Sequence, residues 1–350
     1  MPGSSSNVIV TSAGRSNDRS ALATVRALGA VGRPVVVIAS HSASLAAASR
    51  FASRVIAVES LSENDYGRVV RRIASDVGAT VIFATSDFAL RSLYPATNQL
   101  MDKATLGQRA NAVGLSTPET RELVASDIDQ SFTAATFPMI VKPRIKTPGG
   151  MAAIRVNTHE ELREALRDGG LVQPLIPDTT RALSGIVWDG VLIASVQQRY
   201  LRTFPAQAGT ASAAVTEPVK VEWATALTSL LMETNGIFQA QFVGSQLIDL
   251  NLRPYGSMPL ALAAGLNLPD LVCRLSAGQS VEPVTGKVGV RYRWTDGDLR
   301  TLMADLRSGN SSVVDTIKAI APRRGTAHSI TTMSDPRPGV VRLRRLRRGR

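Results

Sequence analysis

Residues 236–265, GIFQAQFVGSQLIDLNLRPYGSMPLALAAG, read as two strands meeting at Gly244-Ser245. In the second, LIDLNLRPYGS (247–257), Asp249, Asn251 and Arg253 alternate with leucines, so the polar side chains share one side of a strand whose other side is apolar. A half-exposed strand, polar outward and apolar inward, shows the same alternation. Register separates the two readings. A strict two-residue turn pairs Val243 with Gln246, sets Gln241 opposite Ile248 and leaves Asp249 on the other face. A three-residue loop or a bulge pairs Gln241 with Asp249 instead, because their separation in sequence is even. The second register is predicted. It gathers oxygens of Gln241, Asp249 and Asn251 on one surface beside Arg253. Such an oxygen-only set suits a hard cation, and Mg²⁺ is usually held by one or two carboxylates with substrate phosphates completing its shell.

Upstream, FPMIVKPRIKTPGG (137–150) is a short core strand bracketed by Pro138 and Pro143. Lys142 shares a face with Ile140, which desolvates its ammonium unless an anion meets it; the alternative is a lysine snorkelling from a strand end. Gly149 and Gly150 offer backbone that can close over phosphates, or simply a turn. The helix from Asp102 to Gly114 and the proline-containing linker after it mark a domain boundary near residue 100. LVQPLIPDTT (171–180) is a strand passing into an extended segment, and Asp189-Gly190 is a hairpin signal. FPAQAGTASAAVTEP (204–218) reads as a small-residue loop, a candidate lid, and EWATALTSLLMETNG (222–236) as a helix closing at Gly236. Residues 7 to about 95 alternate apolar strands such as NVIVTSA and PVVVIAS with amphipathic helices, the pattern of a parallel, doubly wound sheet. Ligands of such sheets sit at the carboxyl ends of the strands, here near Ser12 to Arg15 and Thr85 to Asp87. The first loop, TSAGRSNDRS, has one glycine and lacks the dinucleotide fingerprint.

MDKATLGQRANAVGLSTPET (101–120), FPMIVKPRIKTPGG, LVQPLIPD (171–178) and residues 236–265, in this order and spacing, resemble the ATP-grasp superfamily over about residues 100–280. The Gln…acid-x-Asn-x-Arg arrangement is similar to the carbamoyl phosphate synthetase large subunit, and NLRPYGSMPLALAAG (251–265) to uncharacterised ATP-dependent carboxylate–amine ligases. The resemblance implies an α/β and α+β chain: an N-terminal doubly wound parallel β/α domain (1–98) followed by a two-lobed ATP-grasp fold. Its small lobe would span 99–178 and its large lobe 179–285, with a C-terminal extension (286–340) packing on the large lobe and a basic tail (341–350). It implies that Lys103 and Lys142 bind ATP phosphates beneath a loop containing Gly149 and Gly150. Gln173, Pro174, Leu175 and Ile176 match the hinge whose backbone meets adenine, and Asp178 an acidic ribose contact. Gln241, Asp249 and Asn251 match Mg²⁺ ligands, and Arg253 the arginine near the γ-phosphate or acyl phosphate. Three positions depart from the pattern: Asp249 is shorter than the common glutamate, Leu252 replaces the proline of NPR, and Pro174 stands where glutamate is frequent. The implied reaction joins a carboxylate to an amine through an acyl phosphate, releasing ADP and phosphate. Rival readings are carbamoyl-phosphate-synthetase-like activation of a small carboxylate, and nucleotide binding without turnover. Arg199 and Arg202 are candidates for holding a carboxylate or phosphate, or else surface residues.

Bulk composition bounds these readings. At 350 residues, 44% hydrophobic and 19% charged, the chain is long enough for two or three cores and is neither fibrous nor wholly disordered. The most apolar window, 256–275, is broken by Pro259, Asn267, Pro269 and Asp270, and MPGSSSNVIV lacks the regions of a secretory signal, so no membrane partner and a cytoplasmic location are expected. Cys273 alone permits no internal disulfide, and His41, His159 and His328 show no metal spacing. Net charge is +12, and six arginines lie in the last nine residues, RLRRLRRGR. That run reads as a solvated, frayed tail with at most nonspecific nucleic-acid contacts. Small-molecule carboxylate and amine substrates are the expected partners, with a homodimer left open.

Overall fold

Asn7–Ser12 (β1), Val35–Ala39 (β2), Arg54–Ala57 (β3) and Ala79–Phe83 (β4) form a parallel sheet in the order β3-β2-β1-β4. The computed structural model describes residues 6–12, 18–40, 44–59, 61–128, 137–147, 152–206, 209–321 and 323–347. Among these, β1 and β2 are apolar runs buried from Val8 and Val35 onward, because helices cover both faces. Helix α1 (Arg19–Gly29) starts at an Asp18 cap and is buried nearly all round, since the helices of Met258–Ala263 and Leu268–Ser276 pack on its outer side. Helix α2 (Glu63–Asp76) is capped by Ser62, and α3 (Asp87–Leu93) starts directly beyond the carboxyl end of β4. A short α4 (Asn98–Met101) leads to α5 (Lys103–Ala112), capped by Asp102 and followed by Gly114 at φ 83°, matching the helix expected there.

A small antiparallel sheet follows, Arg121–Leu123 (β5), Met139–Lys142 (β6), Ile154–Val156 (β7) and Gly170–Pro174 (β8), in the order β5-β8-β6-β7. Met139, Val141, Val156 and Val172 on its inner face pack against Leu162 and Leu166 of and beside α6 (His159–Ala165).

The largest sheet contains Thr180–Trp188 (β9), Val191–Phe204 (β10), Thr210–Glu217 (β11), Gly236–Val243 (β12), Gln246–Asn251 (β13), Val284–Thr285 (β14), Arg291–Arg293 (β15) and Ala327–His328 (β16). Its order is β13-β12-β9-β10-β11-β15-β16, with β14 on β10. Asp189 and Gly190 turn β9 into β10 at φ 48° and 73°, the two positive values that a tight hairpin needs. Helix α7 (Val221–Leu230) lays Trp223 flat on Phe242, centroids 3.9 Å apart. The remaining helices are α8 (Met258–Ala263), α9 (Leu268–Ser276), α10 (Thr295–Arg307), α11 (Val313–Ile320) and α12 (Arg337–Arg347). No helix among the described residues is long and apolar enough to cross a membrane.

Three expectations are corrected here. Residues 210–217 are not a lid loop but β11, whose small side chains, including Ala211, Ser212, Ala213 and Ala214, are buried between neighbouring strands. Helix α7 stops at Leu230, and Gly236, at φ 145°, opens β12 instead of closing a helix. The basic tail is helical through Arg347, and Arg342 is buried on Asp296 at 2.6 Å, so this part is anchored and not frayed.

Candidate active site

The β12–β13 hairpin combines both registers weighed from the sequence. Val243 pairs with Gln246 across a two-residue turn, but Ile248 then bulges and Gln241 faces Asp249, as predicted. The bulge has a second effect: Ile248, left without a partner on β12, points its carbonyl at the small sheet, where the Lys142 ammonium donates to it at 2.8 Å. One irregularity therefore turns Asp249 to the polar face and docks the phosphate-binding candidate of β6 beside it. The leucines between the polar positions, Leu247, Leu250 and Leu252, join Phe242, Trp223 and Leu227 in the core on the other side.

Asp249 is the centre of a cationic cluster. Lys146 Nζ lies 2.7 Å from Oδ2, and Lys103 Nζ, at the start of α5, lies 3.9 Å from Oδ1. Burial pushes the Asp249 carboxyl up, but Lys146, Lys103 and Lys142 more than reverse this and hold it well below the usual carboxylate range. Burial pulls Lys142 down to about 8 and lowers Lys103 as well, with Asp249 opposing the shift in both. Three ammoniums face one carboxylate, so the pocket carries a surplus of positive charge.

Asn251 Nδ2 donates to Asp249 Oδ2 at 3.3 Å, and Asn251 Oδ1 accepts from Arg253 at 3.2 Å. Gln241 Nε2 donates to the Tyr200 hydroxyl at 3.2 Å. Arg253 is gripped by Asp87 at 2.7 Å, so the carboxyl end of β4, where a ligand was expected, meets the polar end of β13. Burial raises the Asp87 carboxyl and Arg253 lowers it, with the net shift downward. Beside them the half-buried Asp18 accepts from Thr85 Oγ1 at 2.7 Å, and desolvation raises its carboxyl.

Other expected positions lie apart or are occupied differently. Gln173 is buried and donates to Thr120 Oγ1 at 2.6 Å. Pro174 and Asp178 are exposed along the connection from β8 to β9, the Leu175 N–H is taken by the Pro138 carbonyl at 3.2 Å, and the Ile176 carbonyl accepts from Asp178 N at 2.9 Å. Gly149 and Gly150 lie outside the described residues. Arg202 is not brought to the cluster. A bulge places it opposite Ala213, one residue from the Tyr200–Ala214 pair, so it emerges on the opposite face of the sheet and is held by both oxygens of buried Asp298 at 2.6 and 2.9 Å. Arg199 reaches Glu217 at 3.8 Å. Lys146 and Tyr200 were not singled out by the sequence, and Asp87 was marked only as part of a strand end where ligands sit, not as a partner of Arg253. Lys146 sits in a loop with no periodicity, and nothing in one sequence links Asp87 to Arg253 across 166 positions.

No protein-family model and no curated protein matches the chain. Solved structures do. N5-carboxyaminoimidazole synthetase from Staphylococcus aureus superposes with a TM-score of 0.61 over 82% of this chain and 80% of that one, at 16% identity. L-amino acid ligase from Bacillus licheniformis gives 0.57 over 77% and 74%, at 15% identity. The biotin carboxylase domain of the 2-oxoglutarate carboxylase of Hydrogenobacter thermophilus, solved with MgADP and bicarbonate, gives 0.59 over 81% and 73%, at 15% identity. The chain has an ATP-grasp fold. Within that fold, the lysine of β6 reaches from the small sheet to the β12–β13 edge of the large sheet.

The donor chemistry fits a magnesium ion only with outside help. Gln241, Asp249 and Asn251 offer oxygens and a single carboxylate, and no group of three His, Cys, Asp or Glu able to hold a metal occurs among the described residues. Such a set needs phosphate oxygens to complete the coordination. If Lys142 meets those phosphates, nucleotide affinity is expected to be level below about pH 7 and to weaken above pH 8, because the free protein must then take up a proton to bind. Stability without nucleotide runs the other way. Between about pH 8 and 10 the unfolded chain holds the proton that folded Lys142 has lost, so this group makes stability rise with pH. Calorimetric titration of ADP across this range, with Lys142→Arg expected to flatten the profile, checks the first effect; a flat wild-type profile would exclude it.

Proposed function

We propose that the protein is an ATP-dependent carboxylate–amine ligase. The observation that carries this reading is the convergence of Lys103, Lys142 and Lys146 on Asp249, with Gln241, Asn251 and Arg253 alongside, in a fold shared with an L-amino acid ligase. In this reading residues 99–178 carry the nucleotide and 179–285 the metal and phosphate platform. Lys103 and Lys142 hold the ATP phosphates, Lys146 leaves Asp249 for the γ-phosphate side, and Gln241, Asp249 and Asn251 would hold Mg²⁺. The ion would neutralise charge on the phosphate oxygens.

A substrate carboxylate attacks the γ-phosphorus, the bond to the bridging oxygen breaks, and ADP leaves. The amine then attacks the acyl carbon, loses a proton and expels phosphate. Arg253, held by Asp87, would bind the transferring phosphoryl group, and the chain needs no covalent intermediate of its own. Catalysis is positioning and charge neutralisation. Binding without turnover is the second reading, drawn from the 2.7 Å Lys146–Asp249 contact, which engages the one carboxylate of the metal set.

The test is incubation with ATP, Mg²⁺ and pooled amino acids, following phosphate release and new masses. Amino-acid-dependent phosphate release with a matching condensed product, lost in Lys142→Ala, is expected. Nucleotide binding without turnover in any pool would favour the second reading, and no nucleotide binding would end both.

A further inference from the structure

We propose that the protein has a second ligand site, for a small oxyanion of the phosphate class, on the face of the large sheet opposite Asp249. Strand alternation separates the faces. Tyr292 points to the Asp249 side, where its hydroxyl donates to the Gly256 carbonyl at 3.1 Å, so its neighbours Arg291 and Arg293 point to the back. Arg202 and Arg293 both pair with Ala213 in register and share that back face.

Helix α10 covers this region and supplies Asp298, which is buried and bridges the two arginines, at 2.6 Å from Arg202 and 3.0 Å from Arg293. The other guanidinium nitrogens of Arg293 donate to the carbonyls of Ala319 and Ile320, closing the end of α11 over the sheet. Beneath this corner is a cavity of about 230 Å³, lined by Arg202, Arg291, Arg293, Arg323 and His328 among others, with no aspartate or glutamate in its lining.

The charges do not balance. Asp298 is shared by Arg202 and Arg293, while the side chains of half-buried Arg291 and exposed Arg323 make no hydrogen bond or ion pair among the described residues. Two guanidiniums with open donors therefore meet at a cavity whose fixed wall is already cationic. Planar N–H forks match phosphate oxygens in paired hydrogen bonds, and such contacts strengthen where solvent is partly excluded. The volume sets the size. Pockets for larger organic ligands run to about 300–1,000 Å³, so this one suits phosphate, pyrophosphate or a short phosphorylated compound, not a nucleoside triphosphate.

The site uses none of the residues assigned to nucleotide, so it stands independently of the ligase reading. The full chain, with its nucleotide site saturated by a nonhydrolysable ATP analogue, is titrated with pyrophosphate by calorimetry. One equivalent is expected to bind. Arg291→Gln combined with Arg323→Gln is expected to weaken binding roughly tenfold or more through loss of charged hydrogen bonds, with ATP affinity and melting temperature unchanged. Lys142→Ala is expected to lose nucleotide and keep pyrophosphate. Equal pyrophosphate affinity in wild type and double variant would overturn the proposal, as would a wild-type chain that binds none.

Discussion

Asp249→Asn is expected to reduce Mg²⁺-dependent ATP turnover by roughly 100- to 1,000-fold, the usual cost of removing one positioned electrostatic group. The change is nearly isosteric, so the bulge at Ile248 and the pairing with Gln241 should persist. Its charge effect is large. Asp249 is the carboxylate that opposes Lys103, Lys142 and Lys146, and it raises the first two against the pull of burial. With an amide there, Lys142 is expected to lose its proton below its present value of about 8, and nucleotide phosphates would become the counter-charge for the three ammoniums. The variant should therefore bind ADP without Mg²⁺ at least as tightly as wild type while turning over far more slowly. Calorimetry with and without Mg²⁺, beside a phosphate-release assay, separates these effects. Turnover within about threefold of wild type would remove Asp249 from the proposed machinery.

The register of this hairpin was legible because parity is a hard constraint: Gln241 and Asp249 share a face only if the strand is irregular, and Ile248 supplies the irregularity. The parallel sheet of β1 to β4 was legible for a similar reason, since its strands are short apolar runs punctuated by helix caps such as Asp18 and Ser62. Where the sequence misled, a distant partner had changed the meaning of a residue. Arg342 belongs to a run that reads as solvated tail, until Asp296, 46 positions away, buries it. Arg202 reads as an anion clamp beside Tyr200, but the bulge after Tyr200 turns it to the back of the sheet and Asp298 takes its guanidinium. The small residues of β11 look like a lid because Ala, Ser and Thr carry little strand signal; they become a strand because large neighbours leave room only for small side chains. Lys146 had no signal at all, as a loop lysine acquires meaning only from the carboxylate it reaches.

Asp335→Ala is expected to produce the largest loss of stability, about 3–5 kcal/mol, by stranding a buried guanidinium. Asp335 is fully buried and accepts from Arg26 Nε at 2.9 Å, Ser49 Oγ at 2.7 Å and the Arg50 backbone N–H at 3.0 Å. Arg26, on α1 of the first sheet, also donates to the carbonyls of Ser329, Ile330 and Asp335 itself. Burial lowers the Arg26 pKa while Asp335 raises it, so the pair is held by its own geometry and not by solvent. This cluster joins the N-terminal sheet to the segment that follows β16. Without the carboxylate, Arg26 keeps its carbonyl contacts but loses its counter-charge, and Ser49 and Arg50 N–H lose an acceptor. Removing both charges in Arg26→Leu, Asp335→Ala is expected to restore part of the loss, because an apolar pair costs less than one uncompensated ion. Urea midpoints for wild type and the two variants, read with ADP affinity of the folded protein, test this. A double variant less stable than Asp335→Ala would show that the carbonyl contacts of Arg26, and not the ion pair, hold the two regions together.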